Sequence, residues 1–460
     1  MKFKTISPVD NRVYVERAYS TDQEVINTLA QAVAAQHQWI ETTYAQRKKY
    51  CLALVDNLLA DKEVIAKEIC QQMGRPIRYC EGEVNGFADR AKTMINIAEK
   101  KLNSIDCNDQ PGFNRYIERV PLGTVFSIVP WNYPYLTAVN SIIPAMMAGN
   151  TVIMKPSSQT PLTAERIYNA SQKADFPAGV FSYLYLNHDN TEKLIENNKI
   201  DFVSFTGSLK GGEKISRASR KRFIAVGLEL GGKDPAYVRQ DADIEYSAES
   251  LVDGAFFNSG QSCCGVERIY VHENVYSIFV EKFSALVYQY RLGNPLDPDT
   301  TLGPMINSHS ADLVCRQICD ALEKGATALI DEDKFPYHKP GTAYLAPQVL
   351  VNVNHSMSVM TEESFGPVVG IMKVKDDDEA VALMNDSEFG LAASVWTKDE
   401  NVAIKIGKQV QTGTWFMNRC DYLDPMLAWT GIKNSGRGCA LSEIGYEQLT
   451  RPRSFHLKHI

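Results

Sequence analysis

The stretch Gly123-Thr124-Val125-Phe126-Ser127-Ile128-Val129 marks a change of pattern in this 460-residue chain. From this point, short apolar segments alternate with amphipathic or small-residue segments. The apolar segments predict buried strands at residues 124–129, 151–154, 181–186 and 202–205, and the segments between them predict helices at residues 162–174 and 191–198. Such alternation is typical of βαβ units and a parallel sheet, whose ligands bind at the carboxyl ends of the strands.

Two further regions flank this series. The first 105 residues have apolar positions at helical spacing and predict a mostly helical region. After Gly232, a second α/β series predicts strands at residues 268–272, 368–375, 392–396 and 414–418, with helices at residues 276–290 and 379–385. A chain of this length is expected to form more than one domain. We therefore predict an α/β protein with two sheet domains that meet near residue 232 and share a cleft.

The charge balance and the apolar pattern argue against several classes of protein. Lys and Arg number 48 against 55 acidic residues, a net charge of −7, which disfavours a nucleic-acid partner. No segment approaches the ~20 consecutive apolar residues of a membrane-spanning helix, and the N-terminus has no signal-peptide pattern. The ten cysteines form no CxxC pair and the eight histidines form no HxxxH pattern, so no metal site is predicted. We expect a cytoplasmic protein with reduced thiols.

One cysteine and one glutamate stand in glycine-containing surroundings. Gly260-Gln261-Ser262-Cys263 follows an apolar helical run, and Glu229 lies in Leu228-Glu229-Leu230-Gly231-Gly232. A cysteine after a glycine turn can present its sulfur to a cleft, and a carboxylate beside two glycines leaves room for a ligand. A nucleophile and a general base are the two groups needed to form and then hydrolyse a thioester. Thiol-based acyl chemistry is therefore the first functional hypothesis.

A candidate phosphate-binding turn follows the predicted strand at residues 202–205. Phe205-Thr206-Gly207-Ser208 leads into a segment with Gly211 and Gly212, and a glycine turn before a helix N-terminus binds anions. The stretch lacks both GxGxxG and the Lys-Ser/Thr of a Walker motif. Taken alone, it fits a tight turn without a ligand as well as it fits a nucleotide site.

Seven blocks in consecutive order make the chain resemble the aldehyde dehydrogenase superfamily across roughly residues 15–458. The blocks are Pro130-Trp131-Asn132-Tyr133-Pro134, Lys155-Pro156-Ser157-Ser158-Gln159-Thr160-Pro161, Phe205-Thr206-Gly207-Ser208, Glu229-Leu230-Gly231-Gly232-Lys233, Gly260-Gln261-Ser262-Cys263, Glu362-Glu363-Ser364-Phe365-Gly366-Pro367 and Asn434-Ser435-Gly436. The resemblance implies a Rossmann-type cofactor domain at residues 1–111 and 123–231 and an α/β catalytic domain at residues 232–430. It also implies a small β oligomerisation arm, with residues 112–122 and the C-terminal segment 431–460, and hence a homodimer or homotetramer.

The resemblance implies a specific oxidation. Cys263 would attack an aldehyde as the thiolate, and the Asn132 side chain with the Cys263 backbone N–H would hold the oxyanion. After hydride transfer, Glu229 would activate the water that hydrolyses the thioester. An ordinary thiol, with a pKa of about 8.5, is mostly protonated at neutral pH, so Cys263 needs local activation.

The cofactor implied by the resemblance is NAD or NADP. Lys155 would bind the adenosine ribose, Ser208 the pyrophosphate and Glu363 the nicotinamide ribose, while Trp131 and Phe365 would line the nicotinamide channel. Gly207, Gly212 and Leu230 complete the predicted cofactor site. Family members restricted to NAD often have a glutamate three residues after the lysine, where this chain has Ser158. Because serine removes a carboxylate that would repel a 2′-phosphate, we predict that NADP is accepted alongside NAD.

The substrate is predicted less closely than the chemistry. Tyr133 and Trp429 would form aromatic walls, and Thr137 and Asn140 are smaller than the bulky residues that narrow some family tunnels. Arg419 could bind a carboxylate of the substrate, but the favoured interpretation is a surface arginine without a ligand. These residues predict a medium-sized aldehyde, with a semialdehyde as one option.

Alternatives remain at two points. A CoA-acylating or phosphate-linked dehydrogenase would release the acyl group to another nucleophile, but Glu229 is superfluous in such an enzyme. A non-catalytic binding protein on the same scaffold would not need Cys263, Asn132 and Glu363. Cys264 either forms a strained disulfide with Cys263 or is a second buried thiol, and disulfide geometry favours the thiol.

Overall fold

The computed structural model describes residues 1–460 and begins with a hairpin that the sequence pattern did not predict. The chain forms β1 (Lys2–Ile6), β2 (Val13–Ala18), α1 (Asp22–Trp39), α2 (Tyr44–Ala60), α3 (Lys62–Met73) and α4 (Ile77–Leu102). β1 and β2 pair antiparallel. Thr21 and Thr43 begin α1 and α2 with capping boxes, which satisfy the free N–H groups of the first turns. The helices α1–α4 confirm the predicted helical region.

The next part of the chain forms a parallel sheet. Its elements follow β3 (Ile105–Asp106) and β4 (Phe113–Pro121) and comprise β5 (Thr124–Ile128), α5 (Pro134–Met147), β6 (Thr151–Lys155), α6 (Leu162–Lys173), β7 (Phe181–Tyr183), α7 (His188–Glu196), β8 (Phe202–Thr206), α8 (Leu209–Ser219) and β9 (Ala225–Glu229). The strands lie in the order β9-β8-β5-β6-β7 and are all parallel. The carboxyl ends of β5, β8 and β9 therefore lie side by side.

A second sheet follows immediately. Its region comprises β10 (Asp234–Val238), α9 (Ile244–Phe256), β11 (Val266–His272), α10 (Tyr276–Val287), α11 (Ser308–Glu323), β12 (Thr327–Ala328), β13 (Gln348–Val351), α12 (Ser358–Thr361), β14 (Val368–Val374), α13 (Asp377–Asn385), β15 (Phe389–Gly390), β16 (Ala392–Trp396), α14 (Glu400–Gly407) and β17 (Thr414–Met417). The order is β12-β13-β14-β11-β10-β16-β17, parallel except for β12. The predicted boundary at residue 232 falls between β9 and β10, where the chain passes from one sheet to the other.

The C-terminal region joins three different parts of the fold. It forms β18 (Ile432–Lys433), β19 (Gly436–Arg437) and β20 (Thr450–Lys458). β18 pairs with β15, β19 pairs with β9, and β20 pairs with β4 along nine residues in a three-stranded sheet with β3. Within the predicted segment 431–460, only β20 lies in the sheet that contains residues 112–122. The division into domains remains a prediction.

Both faces of the second sheet are covered by apolar side chains. Val238 and Ile269 belong to one buried cluster, whereas their neighbours Tyr237 and Tyr270 belong to another on the opposite face. This alternation follows from the period of two along a strand. None of the helices combines the length and apolar character needed to cross a bilayer. With both faces packed, the strand ends and the loops between the two sheets are the parts left to form a site.

Candidate active site

A cavity of about 610 Å³ lies where the two sheets meet. Its walls come from the segments after β5, β8 and β9 on one side and from loops of the second sheet and α11 on the other. The predicted residues that line it are Trp131, Asn132, Thr137, Gly207, Ser208, Glu229, Leu230, Cys263, Glu363 and Phe365. The structure thus brings all three predicted catalytic residues into one space.

A strained turn presents Cys263 to this cavity. Asn258, Ser259 and Gly260 have φ angles of 53°, 56° and 69°, a conformation that side chains with a Cβ rarely adopt. At Gly260 a Cβ would also overlap the carbonyl group of Gly366. The Cys263 side chain is partly exposed, whereas the adjacent Cys264 is buried. The turn therefore separates the two neighbouring thiols into a cavity-facing one and an enclosed one.

The side chain of Asn132 faces the loop that carries Cys263. Its Nδ2 donates to the carbonyl oxygen of Gln261 at 3.1 Å. Behind it, the buried guanidinium of Arg75 donates to the Asn132 carbonyl oxygen at 2.5 Å and to Asn258 Oδ1 at 3.1 Å, and forms an ion pair with Glu83. Arg75 therefore links the loop of the predicted oxyanion residue to the turn before Cys263.

Glu229 is the last residue of β9, beside the end of β8. Thr206 Oγ1 donates to Glu229 Oε2 at 3.2 Å. Burial raises the pKa of Glu229 to about 7, because the charged carboxylate loses water. A base with a pKa near neutrality combines a substantial deprotonated fraction with useful proton affinity.

The anion-binding end of the predicted cofactor site lies in a second cavity of about 310 Å³. Lys155 and Ser208 both line it, and Ser208 also lines the larger cavity. Lys155 makes no ion pair, its Nζ donates only to the Pro156 carbonyl oxygen at 3.3 Å, and burial lowers its pKa to about 8. The Ser208 side chain accepts from the Gly211 N–H at 3.2 Å and caps α8. An unpaired lysine beside a helix N-terminus fits the phosphate-bearing half of a dinucleotide.

Glu363 lines the larger cavity but not the cavity that contains Lys155. Its Oε1 accepts from the Gly232 N–H at 3.1 Å, and a Cβ on Gly231 would overlap its carboxylate. Burial, together with the nearby charge of Glu267, raises the pKa of Glu363 to about 7. The rings of Phe365 and Trp131 are arranged edge to face, with their centroids 5.7 Å apart. A carboxylate and two aromatic rings fit the ribose and ring of the other half of the dinucleotide.

A buried ion pair holds the loop that carries Glu363. Lys233 Nζ lies 2.6 Å from Glu267 Oε2 and also donates to Ser364 Oγ at 3.0 Å. The Glu267 carboxylate accepts from the backbone N–H groups of Ser364 and Phe365, each at 2.8 Å. Glu267 therefore neutralises Lys233 and fixes the backbone next to Glu363.

Several predicted residues lie away from the larger cavity. Ser158 is exposed and lines neither cavity; its carbonyl oxygen accepts from Thr5 Oγ1 at 2.7 Å. Arg419 is exposed, with its guanidinium 3.4 Å from the centroid of the Tyr422 ring. Trp429 is buried in the core. The structure thus places these three side chains outside the space that contains Cys263.

Two more predicted residues, Tyr133 and Asn140, contact arginines from other parts of the chain. The Tyr133 ring lies 4.5 Å below the Arg75 guanidinium, and buried Asn140 accepts from Arg90 at 3.3 Å. Asp421, which was not predicted as a site residue, accepts from Ser262 Oγ at 2.9 Å and from Cys264 Sγ at 3.0 Å. No group of three or more His, Cys, Asp or Glu residues is arranged to hold a metal ion.

Arg75, Arg90 and Arg316 were missed as site residues. Arg75 lies in the short segment between α3 and α4, Arg90 lies within α4, and Arg316 lies within α11. Neither glycine spacing nor a motif marks them. Nothing in the local sequence could have shown that they approach the site.

Comparison with known proteins gives a consistent family assignment. The model of the aldehyde dehydrogenase family matches residues 1–455. An aldehyde dehydrogenase of Paenarthrobacter nicotinovorans is 33% identical, covering 97% of this chain and 98% of the relative. A succinate semialdehyde dehydrogenase [NAD(P)+] of Escherichia coli is 32% identical, covering 96% of this chain and 97% of the relative.

A solved structure agrees with the assignment. The NADP-dependent glyceraldehyde-3-phosphate dehydrogenase of Bacillus halodurans, complexed with NADP, is similar with a TM-score of 0.94 and 33% identity, covering 100% of this chain and 96% of that one. The matches extend through both sheets and the C-terminal strand. On the cavity geometry and these full-length matches, the chain belongs to the aldehyde dehydrogenase family.

Proposed function

We propose that Cys263, Glu229 and Asn132 carry out the NAD(P)-dependent oxidation of an aldehyde to a carboxylic acid. The observation that carries this proposal is that all three side chains line one cavity, together with Glu363. Three separate segments of the chain supply them, so their meeting is a property of the fold. Cys263 supplies the only thiol among the residues that line that cavity.

In the first half of the reaction, the Cys263 thiolate adds to the aldehyde carbon. The Asn132 amide, which faces this loop, and the Cys263 N–H stabilise the oxyanion of the resulting thiohemiacetal. A nicotinamide held by Trp131, Glu363 and Phe365 would supply the acceptor for the hydride that leaves this carbon. The product on the protein is a thioester at Cys263.

In the second half, Glu229 removes a proton from water as the water oxygen adds to the thioester carbonyl. The tetrahedral adduct then collapses, which breaks the carbon–sulfur bond, releases the acid and returns Cys263. Thr206 holds the Glu229 carboxylate through a hydrogen bond of 3.2 Å. Glu229 therefore favours hydrolysis over transfer to CoA or phosphate.

The division of roles can be tested with three variants. Cys263→Ala is expected to abolish reduction of the cofactor. Glu229→Gln is expected to give a burst of about one reduced cofactor per active site, followed by slow turnover, because the thioester forms but is not hydrolysed. Cys319→Ala is a matched control, since Cys319 is exposed on α11. Rapid cofactor reduction by the Cys263→Ala protein would contradict the role of Cys263. A requirement for added CoA or phosphate would favour a CoA-acylating or phosphate-linked dehydrogenase.

We also propose that NADP is accepted alongside NAD. Lys155 provides a positive charge without an acidic partner, and Lys210 and Lys214 line the same cavity. Ser158 adds no carboxylate that would repel a 2′-phosphate. Initial rates with each cofactor test this, and a hundredfold preference for NAD in kcat/KM would rule it out.

The substrate and the assembly are further parts of the proposal. A semialdehyde fits, since one relative is named a succinate semialdehyde dehydrogenase. A homodimer or homotetramer fits the sheet of β3, β4 and β20, because β20 is an exposed edge strand and edges of this kind are usually covered. Light scattering on the full chain measures the assembly, and a monomer at micromolar concentration would exclude it.

A further inference from the structure

Arg90 is a charged side chain that the proposed mechanism does not use. It lies on α4, where its Nη1 donates to the carbonyl oxygen of Leu136 at 2.8 Å and to Asn140 Oδ1 at 3.3 Å, both on α5. The side chain is mostly covered and forms no ion pair. An arginine held in this way keeps its positive charge in a poorly solvated place.

The acidic residues near Arg90 form hydrogen bonds or an ion pair with other groups, and none forms an ion pair with Arg90. Glu83 pairs with Arg75 and accepts from the Tyr135 N–H at 2.8 Å. Asp421 accepts from Ser262 and Cys264, and Glu229 accepts from Thr206. None of these carboxylates forms an ion pair with Arg90, so the guanidinium can still bind an anion from outside the chain, which would compensate its partly buried charge.

The location of Arg90 connects it to the reacting centre. Thr137, on the same helix as Leu136 and Asn140, lines the cavity that contains Cys263. The positive charge of Arg90 lies close enough to Glu229 to oppose the effect of burial, which raises the pKa of that carboxyl. A group bound to Arg90 would therefore belong to a molecule whose reactive carbon lies at Cys263.

The free edge of the guanidinium indicates the kind of anion. Both bonds to α5 use Nη1, so Nε and Nη2 donate to no protein atom, and neither is sealed from solvent. These two N–H groups form one side of the planar guanidinium, which matches the two oxygens of a carboxylate. A phosphate dianion would need more positive charge, and the buried guanidinium of Arg75 is already neutralised by Glu83.

We propose that Arg90 binds the terminal carboxylate of an aliphatic semialdehyde and makes the enzyme selective for aldehydes that carry a carboxylate at the far end. This rests on the proposed function, since it requires the aldehyde carbon to be held at Cys263. Arg90 takes no part in bond making. It fixes the distance and direction of the substrate chain from Cys263, and aldehydes without the carboxylate leave its charge unpaired.

The test compares succinic semialdehyde with butanal, which has the same number of carbons and no carboxylate. The variants are Arg90→Met, Arg90→Lys and, as a matched control, Lys92→Met, which removes an exposed cation from the same helix. Arg90→Met is expected to lower kcat/KM for succinic semialdehyde roughly 10- to 150-fold, the value of a hydrogen-bonded charge pair, mainly through KM. With butanal, its kcat/KM should stay within about threefold, and Arg90→Lys should fall in between.

Each other outcome has a definite meaning. Equal losses on both aldehydes would assign the effect of Arg90 to the charge state of Cys263 or to folding, and would overturn the proposal. Loss of selectivity in Arg419→Met instead of Arg90→Met would place the carboxylate at the exposed loop and overturn it as well. Wild-type enzyme that oxidises butanal but does not prefer succinic semialdehyde would refute the role of Arg90 and leave the proposed function intact. Failure to oxidise any aldehyde would refute the proposed function itself.

Discussion

Replacing Arg75 by methionine should separate the stability of the active-site loops from their alignment. The change removes the partner of Glu83 and the donors to Asn132 and Asn258. A buried ion pair broken on one side costs about 3–5 kcal/mol, because the remaining charge is left unpaired. We therefore expect the free energy of unfolding to fall by about that amount in urea titrations.

The double variant Arg75→Met with Glu83→Gln tests whether the unpaired charge of Glu83 causes the loss of stability. Glutamine keeps an oxygen for the Tyr135 N–H, which Glu83 accepts at 2.8 Å, but carries no charge. Most of the lost stability should therefore return. The turnover number should stay low, by about 10- to 100-fold, since a displaced oxyanion donor typically costs 10²–10³ and this displacement is partial. A double variant that is no more stable than Arg75→Met, or that regains normal turnover, would refute the reasoning.

Three other substitutions probe separate parts of the site. Thr206→Val removes the hydrogen bond that favours the charged form of Glu229, so the pKa of Glu229, about 7, should rise. In profiles of kcat against pH, the pH at which hydrolysis is half-maximal should therefore move upward. The base acts when deprotonated, so in both proteins activity is lost as the pH falls. Ser158→Glu should lower kcat/KM for NADP about tenfold relative to NAD, and an unchanged ratio would show that this position lies too far from the 2′-phosphate. Gly260→Ala should reduce both stability and turnover, because φ at this position is 69° and the new Cβ would overlap Gly366. The free energy of unfolding in urea titrations should fall by more than about 1 kcal/mol. Full activity would show that the turn can relax.

The fold class and the family could be predicted because the deciding signals are local. Apolar runs such as residues 202–205 and glycine turns such as Thr206-Gly207-Ser208 occupy consecutive positions, and the predicted strands appear with small shifts at their ends. The predictions of an aldehyde dehydrogenase fold, of an NAD(P)-dependent aldehyde dehydrogenase and of NAD or NADP as cofactor are confirmed by the family match and the relatives. The assignments of individual residues remain predictions.

The supporting contacts could not be predicted because they join distant parts of the chain. Arg75 reaches Asn132 and Asn258 from the loop between α3 and α4, and Arg90 reaches α5 from α4. Lys233 and Glu267 form their buried pair only when β10 and β11 lie side by side. The β1–β2 hairpin was missed for a different reason: both strands are short and most of their side chains, including those of Ile6 and Val13, are exposed.

The pairing of β19 with β9 ties the strand that ends in Glu229 to residues 436–437. During synthesis from the N-terminus, β9 is completed long before its outer neighbour exists. For that interval it presents unpaired N–H and C=O groups at a sheet edge, a surface on which other chains can associate. The surroundings of Glu229, the proposed general base, are therefore completed only when the C-terminal part of the chain has been made.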